Sequence, residues 1–291
     1  MKFFISTICS SKKEFPEILN DLYELEFRNI EITGNISYCD HYQFILKEYM
    51  TEKNCDFLIH NYIPFETKPY VLNLASKNRR TIDKTIFHIK KAIEILKSMD
   101  KYYYSLHPGF HYDLLPIIST DNYFVRANNS PNDTQTFYDM LLFIKDTILD
   151  ENNFSIAIEN LHPRTSQDTF SFVCTPDDIM NYLSFIKNID NYGFLLDLGH
   201  LNIASNKLNF DKFNFLDELF SKFNNKIFQI HLSDNNGLED SHHMCTTNSW
   251  QITYLYNNKK YLSDIPVTME WSSMWRESAL ENFLKITHIL S

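Results

Sequence analysis

Short apolar runs alternate with amphipathic stretches from one end of this 291-residue chain to the other. The apolar runs are Lys2–Thr7, Asn29–Ile32, Asp56–His60, Tyr102–His107, Ser155–Glu159, Tyr192–Asp197, Ile227–His231 and Ile265–Glu270. Each is short, and most carry no alternating polar face, as strands covered on both sides of a parallel sheet require. Helical spacing follows over Phe15–Glu26, Tyr42–Met50, Thr81–Lys97, Thr134–Leu149, Pro176–Ile189, Phe213–Phe223, Trp250–Asn257 and Glu277–Leu290. Thr175 precedes Pro176 as an N-cap before a first-turn proline. Eight strand–helix units predict an α/β fold, a (β/α)8 barrel, and the absence of a Pro/Gly/Ser-rich linker predicts one domain over residues 1–291. A doubly wound open sheet is the structural alternative. The distribution of polar strand ends argues for the barrel, because closure aims every strand's C-terminal end at one mouth.

Those strand ends carry the chemistry. Tyr192–His200 reads YGFLLDLGH, an apolar strand that runs into Asp197 with His200 three residues on. Other strands end at or beside His60, His107, Glu159, His231 and Glu270, and the second ends near Glu31. A histidine at a strand end is often only a hydrogen-bonding residue. A carboxylate directly behind four core residues, as at Glu159, needs a cation or several donors. Imidazoles and carboxylates converging on one mouth are a ligand set for a divalent metal. The loop LEDSHHM adds Asp240 and His242.

Several classes are excluded or disfavoured. Five glycines, with no GxGxxG or GxxxxGK[ST], argue against a glycine-rich phosphate loop, and no GxSxG elbow is present. A net charge of -10 argues against a generally basic nucleic-acid surface. Cys9, Cys39, Cys55, Cys174 and Cys245 have no paired spacing and read as reduced thiols of a cytoplasmic protein. The apolar N-terminus is read as the first strand rather than a secretion signal, since Lys12, Lys13 and Glu14 follow and no small-residue cleavage site does. No run approaches the length of a membrane span.

In order along the chain, SLHPG, the EN of strand five, DLGH, and HLSDNNGLEDSHH resemble the xylose-isomerase-like barrel superfamily, which holds sugar isomerases, epimerases and endonuclease IV enzymes. The resemblance implies a metal core at Glu159, Asp197, His231 and Glu270, holding one manganese, magnesium or cobalt ion in the epimerase relatives. The endonuclease IV pattern implies up to three zinc ions. His60 and His107 would join Glu159 at one, the four core residues would hold the second, and His200, Asp240 and His242 the third. The chain departs from the pattern after Asp240-x-His242, where relatives carry a Gly-x-Gly-type turn and this sequence reads His243 to Trp250.

Two functions follow. The first is a metal-dependent sugar or sugar-phosphate isomerase or epimerase, working through a metal-stabilised enediolate. In it Glu159 and Glu270 act as base and acid, and His200 holds a substrate oxygen or a ligand. His111, His162, Arg164 and Trp271 are the expected substrate contacts, with Tyr62, Phe65, Phe110, Tyr112 and Trp250 as further aromatics at the mouth. The second is a zinc-dependent phosphodiesterase acting on abasic DNA. It ranks lower because the loop 233–249 carries no Lys or Arg and the loop 61–77 carries only Lys68 and Lys77. A silent metal-binding barrel is the third class. The expected partner is a small sugar, with DNA only in the second reading. No membrane partner is expected, and self-association is left open.

Overall fold

A computed structural model describes residues 1–34, 36–63, 65–68, 70–116, 124–126, 131–166 and 170–291. Eight parallel strands form the sheet: β1 (Lys2–Ser6), β2 (Asn29–Ile32), β3 (Asp56–Ile59), β4 (Tyr103–Leu106), then β7 (Ser155–Glu159), β8 (Tyr192–Asp197), β9 (Ile227–Leu232) and β10 (Pro266–Met269). Between β4 and β7 lies a small antiparallel pair, β5 (Leu114–Pro116) and β6 (Phe124–Arg126). The order β3-β2-β1-β10-β9-β8-β7-β4 wraps the strands into a nearly closed barrel. The remaining seam, β3 to β4, is joined at the C-terminal end by one parallel bridge, His60 to Ser105. There the Asn61 amide donates to Ser105 O at 2.9 Å. The barrel therefore closes at the same end as the polar strand termini.

Helices cover the outside: α1 (Phe15–Glu24), α2 (Tyr42–Glu52), α3 (Arg79–Ser98), α4 (Thr134–Ile144), with a π-turn and a final turn α5 (Asp150–Asn152), α6 (Pro176–Ile186), α7 (Leu198–Leu208), α8 (Lys212–Phe223), α9 (Trp250–Asn257) and α10 (Arg276–Leu290). Side-chain caps fix several starts. Thr175 and Asp178 form a capping box on α6. Asp133 caps α4, and Asp211 caps α8. Each cap contributes about 1 kcal/mol. Tyr104, Ile156, Phe194, Ile230 and Val267 are among the strand residues sealed from water.

All eight expected strands and eight expected helices are present, with ends shifted by a few residues. Two features lie outside the expectation. The β5–β6 pair is one. The other is α7, which starts immediately after β8 with no loop between. Its first eight residues are all buried, so it has no polar face to give a helical period. Asp197 is at once the last residue of β8 and the N-cap of α7, accepting from the His200 amide at 2.6 Å. A β-carbon at Gly199 would lie 2.2 Å from Ser233 Oγ, so any larger residue there would have to turn the Ser233 hydroxyl aside.

Candidate metal centre at the barrel mouth

The C-terminal ends of β3, β4, β7, β8, β9 and β10 deliver imidazoles and carboxylates to one point. Two asparagines set the strand ends. Asn61 Oδ1 accepts from the His107 amide at 2.8 Å, tying β3 to β4. Asn160 Oδ1 accepts from the Asp197 amide at 2.8 Å, and its Nδ2 donates to Asp197 O at 3.0 Å, tying β7 to β8. Each follows a candidate ligand in sequence, His60 or Glu159.

Glu159 is the hub. Its Oε2 lies 3.0 Å from His60 Nε2 and 3.1 Å from His107 Nε2, and its Oε1 lies 3.2 Å from His200 Nδ1. Ligand-type atoms of Glu159, Asp197, His231 and Glu270 all fall within 4.8 Å of one another, and all four residues are buried. His231 Nδ1 is 3.1 Å from Glu270 Oε2. Among the described residues no hydrogen bond reaches Glu159 Oε2, Asp197 Oδ2 or His231 Nδ1; the first and third have ion-pair contacts of 3.0 to 3.1 Å, and the closest ion-pair contact of Asp197 Oδ2 is 3.7 Å. A buried carboxylate oxygen left in that state costs several kcal/mol unless a cation meets it. Three carboxylates around one imidazole are the oxygen-rich donor set of a divalent cation. The residues therefore fit such an ion.

The electrostatics of the cage agree. Burial, then the neighbouring Glu159 and Glu270 charges, push Asp197 up to about 6. Burial also works against the Glu270 carboxylate, but His231 and His242 outweigh it and hold Glu270 down at about 2. For Glu159 the opposing burial is outweighed by His60 and His107, and the carboxyl is held well below its usual range.

A second group lies further out. His200 Nε2 and His242 Nε2 each stand 3.2 Å from Asp240 Oδ2. His200 Nδ1 donates to Asn160 O at 2.9 Å, and His242 Nδ1 donates to Glu270 O at 3.0 Å. In both rings a backbone carbonyl holds one nitrogen and aims the other at Asp240. His242 sits in the left-handed region, with φ 45°. The residues whose ligand atoms converge here are His162, His200 and Asp240. His162 is an addition to the expected trio, and the expected His242 reaches the same Asp240 Oδ2 at 3.2 Å. Burial, then the neighbouring His200, lowers His162 to about 4 and leaves it a neutral donor. The remaining expected group, His60, His107 and Glu159, is brought together.

The substrate contacts fare differently. A cavity of about 420 Å³ opens at the cluster, and His107, His162, Glu159 and Glu270 line it together with Tyr62, Phe110, Leu161 and Phe170. Trp271 is a correction: it is fully buried in the core and does not reach the cavity. Arg164 is exposed and is not among the lining residues, but its guanidinium lies 4.0 Å from the centre of the ring of Phe170, which is. His111 packs on Phe172, with ring centres 4.1 Å apart, outside the cavity lining. Phe65 is buried against Phe15, and Trp250 packs on Phe213. Tyr112 packs beside the Phe110 cluster without lining the cavity. Sequence reasoning passed over Asn61, Asn160, Gln229 and the role of Glu31 as an interior carboxylate. The one available signal was Glu31 itself, a charge within the apolar strand NIEI.

Residues 24–257 match the family described as Xylose isomerase-like TIM barrel, and the chain belongs to that family. An uncharacterised protein of Methanocaldococcus jannaschii is 26% identical over 252 residues, covering 83% of this chain and 73% of that one. A second uncharacterised protein of the same organism is 29% identical over 174 residues, 59% of this chain and 55% of that protein. Among solved structures, a D-tagatose 3-epimerase-like protein superposes with a TM-score of 0.71 at 23% identity, covering 100% of this chain and 98% of that one. Endonuclease IV from Thermus thermophilus superposes with a TM-score of 0.59 at 13% identity, covering 98% and 99%. At these identities the superpositions establish the fold. No helix among the described residues is long and apolar enough to cross a membrane.

Proposed function

We propose that the protein is a divalent-metal-dependent isomerase or epimerase of a small sugar, acting by proton transfer at a carbon next to a carbonyl. The carrying observation is the cavity: it ends on buried carboxylates, and no Lys or Arg side chain lines it among the described residues. Such a pocket suits a neutral polyol better than a phosphate chain, which calls for Arg or Lys. A divalent cation held by Glu159, Asp197, His231 and Glu270 would supply Lewis-acid polarisation of the substrate oxygens. Glu159 comes from β7 and Glu270 from β10, with β8 and β9 between, so their carboxylates approach the cavity from different directions. In this reading one removes the proton and the other returns it. His200, fixed by Asn160 O, orients a substrate hydroxyl. Phe110, Leu161 and Phe170 wall off water and stack on the sugar's apolar face.

Glu159→Gln tests this. It keeps the shape of the side chain and removes the base. Exchange of substrate C–H with solvent deuterium is expected to fall by about 10³-fold, within the range for general acid–base groups. Wild-type exchange in a folded variant would sink the role. A second reading, a zinc phosphodiesterase at abasic DNA, is favoured by the convergence of several ligand groups on one mouth. It requires His107→Ala to abolish cleavage of an abasic duplex that the wild-type protein cuts. A wild-type protein that leaves the duplex intact removes that reading.

A further inference from the structure

Most imidazoles of the site are held by a neutral group. His60 Nδ1 meets Ser105 Oγ at 3.1 Å, while His162, His200 and His242 are held by backbone carbonyls. His231 is different. Its Nε2 lies 3.0 Å from Glu31 Oε2, and both side chains are sealed from water. Glu31 stands on β2, which is separated from β9 by β1 and β10, so the contact crosses the barrel interior. The other carboxylate oxygen is anchored: Gln229 Nε2 donates to Glu31 Oε1 at 2.7 Å. The same Nε2 lies 3.1 Å from Thr268 Oγ1 and 3.2 Å from His231 Nε2; with its two N–H bonds directed to Glu31 and Thr268, it leaves the His231 Nε2 proton to Glu31. Among the described residues no hydrogen bond reaches Glu31 Oε2, and the 3.0 Å ion-pair contact with His231 Nε2 is its close polar approach.

A buried carboxylate without Lys or Arg is costly unless its placement is useful. Here it faces the nitrogen of His231 that points away from the carboxylate cage, while Nδ1 points toward Glu270, Glu159 and Asp197. We propose that Glu31 is a positioning residue of the metal centre. Held by Gln229, it receives the Nε2 proton of His231, fixes that tautomer and ring angle, and presents Nδ1 as a bare donor to the cation. The proposal rests on the metal-centre reading above but not on the identity of the substrate. Carboxylates behind ligating histidines raise ligand basicity, and their loss costs about tenfold to hundredfold in metal affinity.

Ligand-type atoms of Glu31, His60 and His231 also converge within 4.8 Å, so support must be separated from direct ligation. The test uses cobalt(II)-loaded protein titrated with a competing chelator, with the visible d–d absorption recorded alongside. Glu31→Gln keeps an acceptor without charge and is expected to weaken cobalt binding by about tenfold. Glu31→Ala is expected to weaken it by up to about a hundredfold. Both are expected to shift the d–d bands, a signature that a merely structural residue would not move. Should Glu31→Ala fail to fold, Glu31→Gln and Gln229→Met, which frees the carboxylate, decide the matter by the same readouts. Wild-type affinity and spectrum in the folded variants would overturn the role. Loss of one whole equivalent of cobalt would make Glu31 a ligand and overturn it too. A wild-type protein that binds no cobalt would instead overturn the metal centre, and this role with it.

Discussion

The inner cluster of Glu159, Asp197, His231 and Glu270 and the outer cluster of His162, His200 and Asp240 share one mouth but are built from different parts of the fold. The inner residues close β7, β8 and β9 or follow β10, and all are buried. The outer ones come from the loop after β7, the first turn of α7 and the loop after β9, and two of the three are half-buried. Strand ends in a hydrogen-bonded barrel have little freedom, whereas loop residues are placed by a few contacts of their own. The inner geometry is therefore a property of the fold, and the outer geometry a property of this chain's loops. Under the proposed reading, that difference predicts that the inner group holds a cation more firmly than the outer one.

Substitutions can separate the two clusters. The greatest loss is expected from Asp197→Asn, which strips a charge from the inner cage and leaves the cap to α7 intact, because an amide oxygen can still accept from the His200 amide. The bound metal is expected to fall from one equivalent to none, as measured by elemental analysis. Retention of a full equivalent would show that the inner cluster is not the site.

Asp240→Asn should do much less. It removes the charge facing both His200 and His242. The inner cation is expected to stay, with a modest change in turnover. Loss of all metal in this variant would show that the two clusters are one cooperative centre.

Removing the metal by chelation is expected to lower stability by about 3 to 4 kcal/mol if the ion is present at about 100 to 1,000 times its dissociation constant. Calorimetry with and without chelator reads this directly, and an unchanged unfolding temperature would contradict a resident ion.

A subtler change concerns the support beneath the cage. His88 is fully buried and donates from Nε2 to Asn61 O at 3.0 Å, behind the residue that ties β3 to β4. Burial lowers its pKa from 6.5 to about 4. Between these values the unfolded chain takes up a proton that the folded chain refuses. Stability is thus lost as pH falls from about 6.5 toward 4, by at most about 3 kcal/mol. Urea unfolding at a series of pH values should show this slope in the wild-type protein and a shallower one in His88→Phe. Equal slopes would assign the loss to other groups.

Much of this was legible in the amino-acid sequence, for identifiable reasons. The barrel strands are unbroken apolar runs, so their type and order follow from burial on both faces. Glu159, Asp197, His231 and Glu270 stood out as polar residues at the ends of such runs, and the family resemblance is what grouped them as one metal core. The α7 helix was not visible, since it is buried nearly all round and Asp197 and His200 already carried a ligand reading. Glu31 lies within a strand of the same kind, but its partner His231 is far along the chain and across the barrel interior, a relation that no local pattern encodes. The misplaced mouth aromatics share one cause. Trp271 follows a barrel strand as closely as a ligand does, and only the packed structure turns it inward.

The decisive measurement is the metal content of protein purified without chelator or added metal, determined per chain by elemental analysis alongside Asp197→Asn. Close to one manganese, cobalt or magnesium ion in the wild-type protein and none in the variant is the expected result. About three zinc ions per chain would contradict the sugar reading and move the search to phosphodiesters. Equal metal in both proteins would contradict the inner site itself.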